Sequence, residues 1–439
     1  MRTRWGRFLA LAGVFAAVSG GLARQPDGMT LAVCWRRSVS RGVEWCAAAP
    51  RAAGLLVFDK AGRLDLLDVR DGSRRIDHPV SLERGSRLAG AGGAVVYAFG
   101  ATTVYGLRAV CRRDGSRPAR MQVAWREVGA TAPAGADPET VARIVAARAT
   151  GEGVLVVRSD GHIAELVRDD GSPRWSAKVA PFDVCTLDVC GRWASLVTYG
   201  AGKLHVVSFD LRAERPMAVE YGVSGPAPLW SGLSNAGVVV VWSDRWTVCV
   251  PGGRTRAFRF PPDVRATAAA VGLAPVCGGG EKTSVATRLL VGGERGLWAF
   301  DLSTGTPAMP QQAGKCASAG GFRLLIRPGL AAVTSDRRWE LWRLPALRLV
   351  ACGDGSLIGA AVCPCEARGG ALRGYIVQTG GGSVGLRLAR VGLEEGAPAG
   401  GHARVVGLAE ASGVPRQLIW IGKTLVVVED RRILAYTLP

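Results

Sequence analysis

Short β-branched runs, tight turns containing Gly and Asp, and hairpins recurring about every 40 to 60 residues predict an all-β fold. That period, with roughly four short strands per unit, is what the four-stranded blades of a β-propeller require, and it leaves seven, eight or nine blades open. The composition agrees. The 439 residues are 48% hydrophobic, with 60 glycines and 13 tryptophans, which excludes a disordered chain. No apolar run reaches the roughly 18 residues that a membrane-spanning helix needs.

The first clear hairpin is Leu55-Leu56-Val57-Phe58, a turn at Asp59-Lys60-Ala61-Gly62, then Arg63 to Asp68. Val154 to Val157 turns at Ser159-Asp160-Gly161 into His162 to Val167, and Leu289-Leu290-Val291 turns through Gly292 to Gly296 into Leu297 to Asp301. Val238 to Trp242 with Trp246 to Val250, and Leu425 to Val428 with Ile433 to Leu438, repeat the unit. Weaker copies lie at 94–107, 194–209, 330–344 and 374–388, for nine candidate hairpins in all. The second strand often enters a further turn in which Asp or Thr precedes Gly, as in Asp68 to Ser73, Val167 to Ser172 and Asp301 to Thr306, with partial copies at Arg113 to Ser116 and Gly353 to Ser356. Such a turn suits a last residue at positive φ.

The segments LVRDDGSPRW (166–175) and LLVGGERGLWAFDLSTGTP (289–307) resemble the repeat of the pyrroloquinoline-quinone-dehydrogenase-like (PQQ-like) β-propeller family. The resemblance covers most of 50–439 loosely and these two units closely. It implies about eight blades, and chemistry ranging from quinone-dependent alcohol oxidation to pure scaffolding. A quinone-dependent member would show an adjacent Cys-Cys pair over the cofactor and acidic and amide calcium ligands. This sequence has no adjacent cysteines, its only asparagine is Asn235, and Cys363-Pro364-Cys365 has the wrong geometry. Thr30 to Cys34 is expected to supply the outer strand completing the last blade with 423–438, closing the ring.

Two stretches break the pattern and read as insertions. Residues 129–152 carry Asp137-Pro138-Glu139, a capped helix start, followed by a helix over Thr140 to Ala147. Residues 261–287, rich in Ala, Pro and Gly, read as irregular.

The N-terminus reads as an export signal. Arg2, Arg4 and Arg7 precede the small-apolar stretch Phe8 to Val18, and Gly21 and Ala23 suit cleavage after Ala23, giving a signal peptide at 1–23 and one propeller domain at 24–439. The 11 cysteines, an odd number, leave at least one free or intermolecular thiol. Cys34–Cys46 and Cys185–Cys190 are candidate local disulfides in an exported chain, whereas Cys249, inside an alternating strand, reads as a small buried hydrophobe.

The formal charge of +19 has two readings, a solvated basic surface or a surface for polyanions. The arginines are scattered, the densest groups being pairs such as Arg36-Arg37, Arg74-Arg75 and Arg431-Arg432.

No motif carries catalysis. Gly381-Gly382-Ser383-Val384-Gly385 fits the nucleophile-elbow pattern, but the alternating residues after it predict a strand where the elbow needs a helix. Gly278 to Thr283 only superficially resembles a phosphate loop, because Glu281 separates Gly280 from Lys282. His78, His162, His205 and His402 show no metal spacing. Trp175, Trp242, Trp246, Trp298, Trp339, Trp342 and Trp420 read as packing between blades. The sequence therefore assigns no catalytic, cofactor-binding or metal-ligating residue. Its functional expectation is a non-enzymatic exported scaffold, periplasmic, envelope-associated or extracellular, with other proteins as partners. The alternatives are a quinone-dependent oxidoreductase of the same fold and an intracellular WD40-like adaptor binding protein or nucleic acid.

Overall fold

The computed structural model describes residues 29–437 except 31–32, 50–53, 77, 93, 112–117, 129–141, 181, 183, 214–217, 251, 276–284, 294–295, 309–322, 328–329, 335–337, 344–347, 355, 363–371, 380–385, 394–403, 410–415 and 423. The expected signal peptide at 1–23 lies outside the described residues.

Each of the nine candidate hairpins becomes the central strand pair of its own sheet, and an inner and an outer strand complete each one. The chain is a β-propeller. Blades 1 to 8 occupy residues 43–81, 87–128, 144–178, 184–221, 230–259, 266–308, 323–354 and 356–409 in order, and the ninth sheet combines 417–437 with 33–38. The described residues form nine sheets, the upper end of the range the sequence allowed, whereas the figure of eight came from the family resemblance.

Central strands are buried on both faces, which explains their unbroken apolar runs. Leu55 and Leu56 point to opposite sides of their sheet and both are fully buried. Leu55 packs with Val426 and Ile433 of blade 9, while Leu56 packs with Val96 and Leu107 of blade 2. Equivalent clusters join blades 2 and 3, 3 and 4, 4 and 5, 5 and 6, and 6 and 7. Each fully buried Val or Leu contributes about 1.5–3 kcal/mol, so burial between sheets dominates cohesion.

The Asp/Thr-Gly turns give blades 1, 3 and 6 a socket for the preceding blade. The N–H of Gly72, Gly171 and Gly305 donates to the carbonyl of Asp68, Val167 and Asp301 at 2.9, 3.0 and 2.9 Å, with φ of 69°, 74° and 74°. Against these glycines press the rings of Trp35, Trp125 and Phe258, each from the outer strand of the preceding blade. Two of the indoles also bond across the gap: Trp35 Nε1 donates to Val69 O at 2.7 Å and Trp125 Nε1 to Arg168 O at 2.8 Å. Trp175 instead donates to the buried carboxylate of Glu165 in its own blade at 2.8 Å, and its neighbour Arg174 reaches Leu211 O of blade 4.

The outer strand of blade 9 is Val33–Ser38, antiparallel to Arg432–Thr437. This is the pairing expected from the sequence, moved toward the C-terminus: Met29–Thr30 leaves that sheet and lies parallel to Arg404–Ala409 of blade 8. The junction with blade 1 is stitched at several points. Gln417 accepts from Cys46 N at 3.1 Å and donates to Cys46 O at 2.8 Å, and Lys60 meets Asp430 at 2.7 Å.

Four expectations are corrected. From residue 144 the expected helix over Thr140 to Ala147 is instead the inner strand Ile144–Ala149, paired along its length with Gly153–Arg158; residues 129–141 lie outside the described residues. Within 261–287, Ala266–Pro275 forms the inner strand of blade 6 and 285–287 begin its next strand; only 276–284 lie outside the described residues. Gly353-Asp354 ends one outer strand and Ser356 opens the next blade, so that segment is no intrablade turn. Neither expected disulfide forms. Cys185 and Cys190 are free thiols on one extended strand, about 16 Å apart at 3.3 Å per residue, and Cys46 is a buried free thiol. Cys249 is fully buried as expected, and burial pushes its thiol up to about 12.

Candidate functional site

The sequence motifs weighed for chemistry do not assemble. Ser383 and residues 278–283 lie outside the described residues, and the segment after 385 is the strand Leu386–Leu393, not the helix an elbow requires. His162 and His205 stand on separate blades, each with Nδ1 at hydrogen-bond distance from a local carboxylate, Asp160 at 2.8 Å and Glu220 at 2.9 Å. His78 is exposed, and His402 and the pair Cys363 and Cys365 lie outside the described residues. Asn235 sits in the turn before Gly237–Val241 and accepts from Cys190 Sγ. Among the described residues no three His, Cys, Asp or Glu side chains gather as a metal site. Trp175, Trp242, Trp246, Trp298, Trp339 and Trp342 are buried, and Trp420 is half-buried.

Among the described residues a concavity lies on the rim of blade 5. Gly252 and Gly253, both at positive φ (98° and 87°), reverse the chain out of the strand Arg245–Val250. The outer strand Arg254–Arg259 then runs back antiparallel for six consecutive pairs, Arg245 opposite Arg259 and Val250 opposite Arg254. Alternation sorts its side chains. Arg254, Arg256 and Phe258 face blade 6, where Arg256 donates to Ser303 O at 3.1 Å and Phe258 covers Gly305. Thr255, Ala257 and Arg259 face the other way, with Thr247 and Arg245 beside them.

This second face and the linker Gly222 to Ser224 enclose a groove of about 480 Å³. Trp242 forms part of its wall, held by donation from Nε1 to Pro226 O at 2.9 Å, and the Arg245 guanidinium stacks 4.9 Å from the indole centroid. Arg245 and Arg259 are cross-strand neighbours of like charge, an arrangement that costs stability unless an anion answers it. The only described carboxylate near Arg245 is Asp244, at 3.8 Å, and no described acidic residue pairs with Arg259. Thr247 and Thr255 add hydroxyls to the wall. The linker continues through Pro226 and Pro228 to Leu229, which is 45% exposed, the one large hydrophobic so exposed among the described residues. The groove thus offers two guanidinium groups, hydroxyl donors and an aromatic wall, a set complementary in charge and hydrogen bonding to a carboxylate.

Sequence reasoning passed over this site because it looked for adjacent arginines. Arg254, Arg256 and Arg259 are spaced along the strand Arg-Thr-Arg-Ala-Phe-Arg, just after a Gly-Gly turn. That signal was present: a polar, basic strand where a blade's outer strand belongs.

No protein-family profile matches the chain, and no curated protein sequence matches it. Several solved structures are similar over nearly the whole length. BamB from Moraxella catarrhalis has a TM-score of 0.46 at 13% identity, covering 93% of this chain and all of its own. Sqt1 from Saccharomyces cerevisiae has a TM-score of 0.48 at 10% identity, covering 94% and 100%. The C-terminal WD40 domain of Sif2 has a TM-score of 0.43 at 9% identity, covering 94% and 99%. Likeness at this level says nothing of activity, and the fold of this chain rests on its own strand pairing.

Proposed function

We propose that this chain is a non-enzymatic β-propeller scaffold, a PQQ-like member without the quinone site, that docks other proteins on the rim of blade 5. The observation that carries this reading is the exposed basic strand Arg254–Arg259 beside a groove walled by Trp242, Arg245 and Thr247. The aromatic-on-glycine contacts at Gly171 and Gly305 support the PQQ-like part, because they fall at the turns that carry the sequence resemblance. The basic, then apolar, then small-residue order of Arg2 to Ala23 supports export.

The test compares wild type with the R254E/R256E/R259E variant, each crosslinked in its native cells and quantified by mass spectrometry. Partner recovery is expected to fall about tenfold or more in the variant. Equal recovery would remove blade 5 as the docking surface, and recovery of nucleic acid in place of protein would favour a polyanion role. An intact mass beginning at Arg24 checks export in the same sample.

A further inference from the structure

We propose that the partner docks by adding an acidic extended segment to Arg254–Arg259 as a fifth strand of blade 5. The inference rests on the scaffold reading and names the chemistry of its partner. Three observations carry it.

The first is the regularity of the edge. Among the described residues, the outer strands of blades 1, 4 and 6 are only two or three residues long, as at Val80–Ser81, Val219–Tyr221 and Pro307–Ala308. Those of blades 2, 3, 7 and 9 join their neighbours through a register shift, and that of blade 8, which also shifts, takes its added strand on the regularly paired residues Gly407 and Leu408 to one side of the shift. Bulges and short strands are how sheets discourage added strands. Arg254–Arg259 has neither, and pairs with its neighbour without interruption.

The second is precedent within the molecule. The outer strand of blade 8 already carries an added strand, Met29–Thr30, in parallel register with Gly407 and Leu408. An outer edge of this propeller can therefore accept an extra strand.

The third is charge. Arg254 and Arg256 on one face and Arg259 on the other make every charged side chain of the strand positive. A second copy of this strand would bring arginines against arginines, which is unfavourable, whereas a segment with acidic residues at alternating positions would answer them. On the groove side the small Ala257 leaves room for an incoming side chain to reach between Arg245 and Arg259.

The test titrates the full-length protein with a fluorescein-labelled peptide of alternating glutamate and threonine. Comparators are the same peptide N-methylated at alternate residues, a scrambled peptide of equal charge, and a DNA duplex. Strand addition predicts that N-methylation weakens binding by about tenfold or more, because backbone donors are lost while charge is kept. It also predicts a similar loss in R254E/R256E/R259E. Equal binding of the N-methylated or scrambled peptide, or DNA binding as tight as that of the peptide, would overturn the proposal, as would failure of the peptide to bind. The N-methylation arm needs no protein variant, so a misfolded variant leaves the test intact. If native partners are lost in the charge-reversed variant while N-methylation has no effect, strand addition fails and the scaffold reading stands.

Discussion

The indole of Trp125 in blade 2 lies against Gly171 in blade 3, and a Cβ built on that glycine would stand 2.5 Å from the ring. Gly202, in another turn, has the same φ of 74° but nothing within 4 Å of its would-be Cβ. The pair separates backbone strain from the interblade contact. Gly202→Ala should cost only the left-handed penalty, about 1–2 kcal/mol, whereas Gly171→Ala should cost about 3–4 kcal/mol. Urea unfolding of the two variants measures the difference. Equal losses would mean that the aromatic contact adds nothing to blade cohesion.

Glu165 is buried and accepts from Thr150 Oγ1 at 2.7 Å and Trp175 Nε1 at 2.8 Å, with Arg174 at 3.4 Å. Removing it leaves an indole N–H and a hydroxyl unsatisfied inside the sheet. Glu165→Ala should lower the stability by about 2–4 kcal/mol, measured by the same unfolding, while a surface control such as Glu220→Ala should change it by less than about 0.5 kcal/mol.

Two aspartates respond to pH in opposite directions. Hydrogen bonds from the Ser303 hydroxyl, and then from the Ser303 and Thr304 N–H groups, hold the Asp301 carboxyl below the usual range. Its contribution is present above the unfolded carboxylate value and is lost as the pH falls through its folded value. Asp188 is raised by burial, partly offset by Arg148, so it contributes below the unfolded value and loses that contribution as the pH rises through its folded value. Asp188→Asn should therefore leave stability at pH 7 unchanged or raise it, and Asp301→Asn should lower it. Thermal melts between pH 3 and 7 check both signs.

Cys46 and Cys249 are buried thiols whose ionisation burial opposes. Both should resist a thiol-specific reagent at pH 8 in the native state and react on unfolding. Peptide mapping without reductant should find no Cys185–Cys190 bridge, because the two lie on one strand.

The sequence disclosed those parts of the fold that are buried on two faces. Runs such as Val238 to Val241 and Leu289 to Val291 are apolar throughout because a sheet packs on either side, and all nine such hairpins are legible in the sequence. Inner strands are different. Where sheets crowd together, small side chains serve, and Ile144–Ala149 and Ala266–Pro275 are consequently rich in alanine. Alanine favours a helix locally, so only pairing with the next strand reveals these segments as β. The site was obscure for a related reason. Arg254–Arg259 is an exposed edge whose alternation carries little hydrophobic signal, and the groove beside it also needs Trp242 and the linker at 222–224, brought near by the fold.

The most direct measurement is amide hydrogen exchange across the whole protein, alone and saturated with its crosslinked native partner. Strand addition on blade 5 predicts that alternate amides within Arg254–Arg259 slow by about tenfold or more, with other outer strands unchanged. Unchanged exchange at Arg254–Arg259, with protection appearing on another blade, would contradict the account.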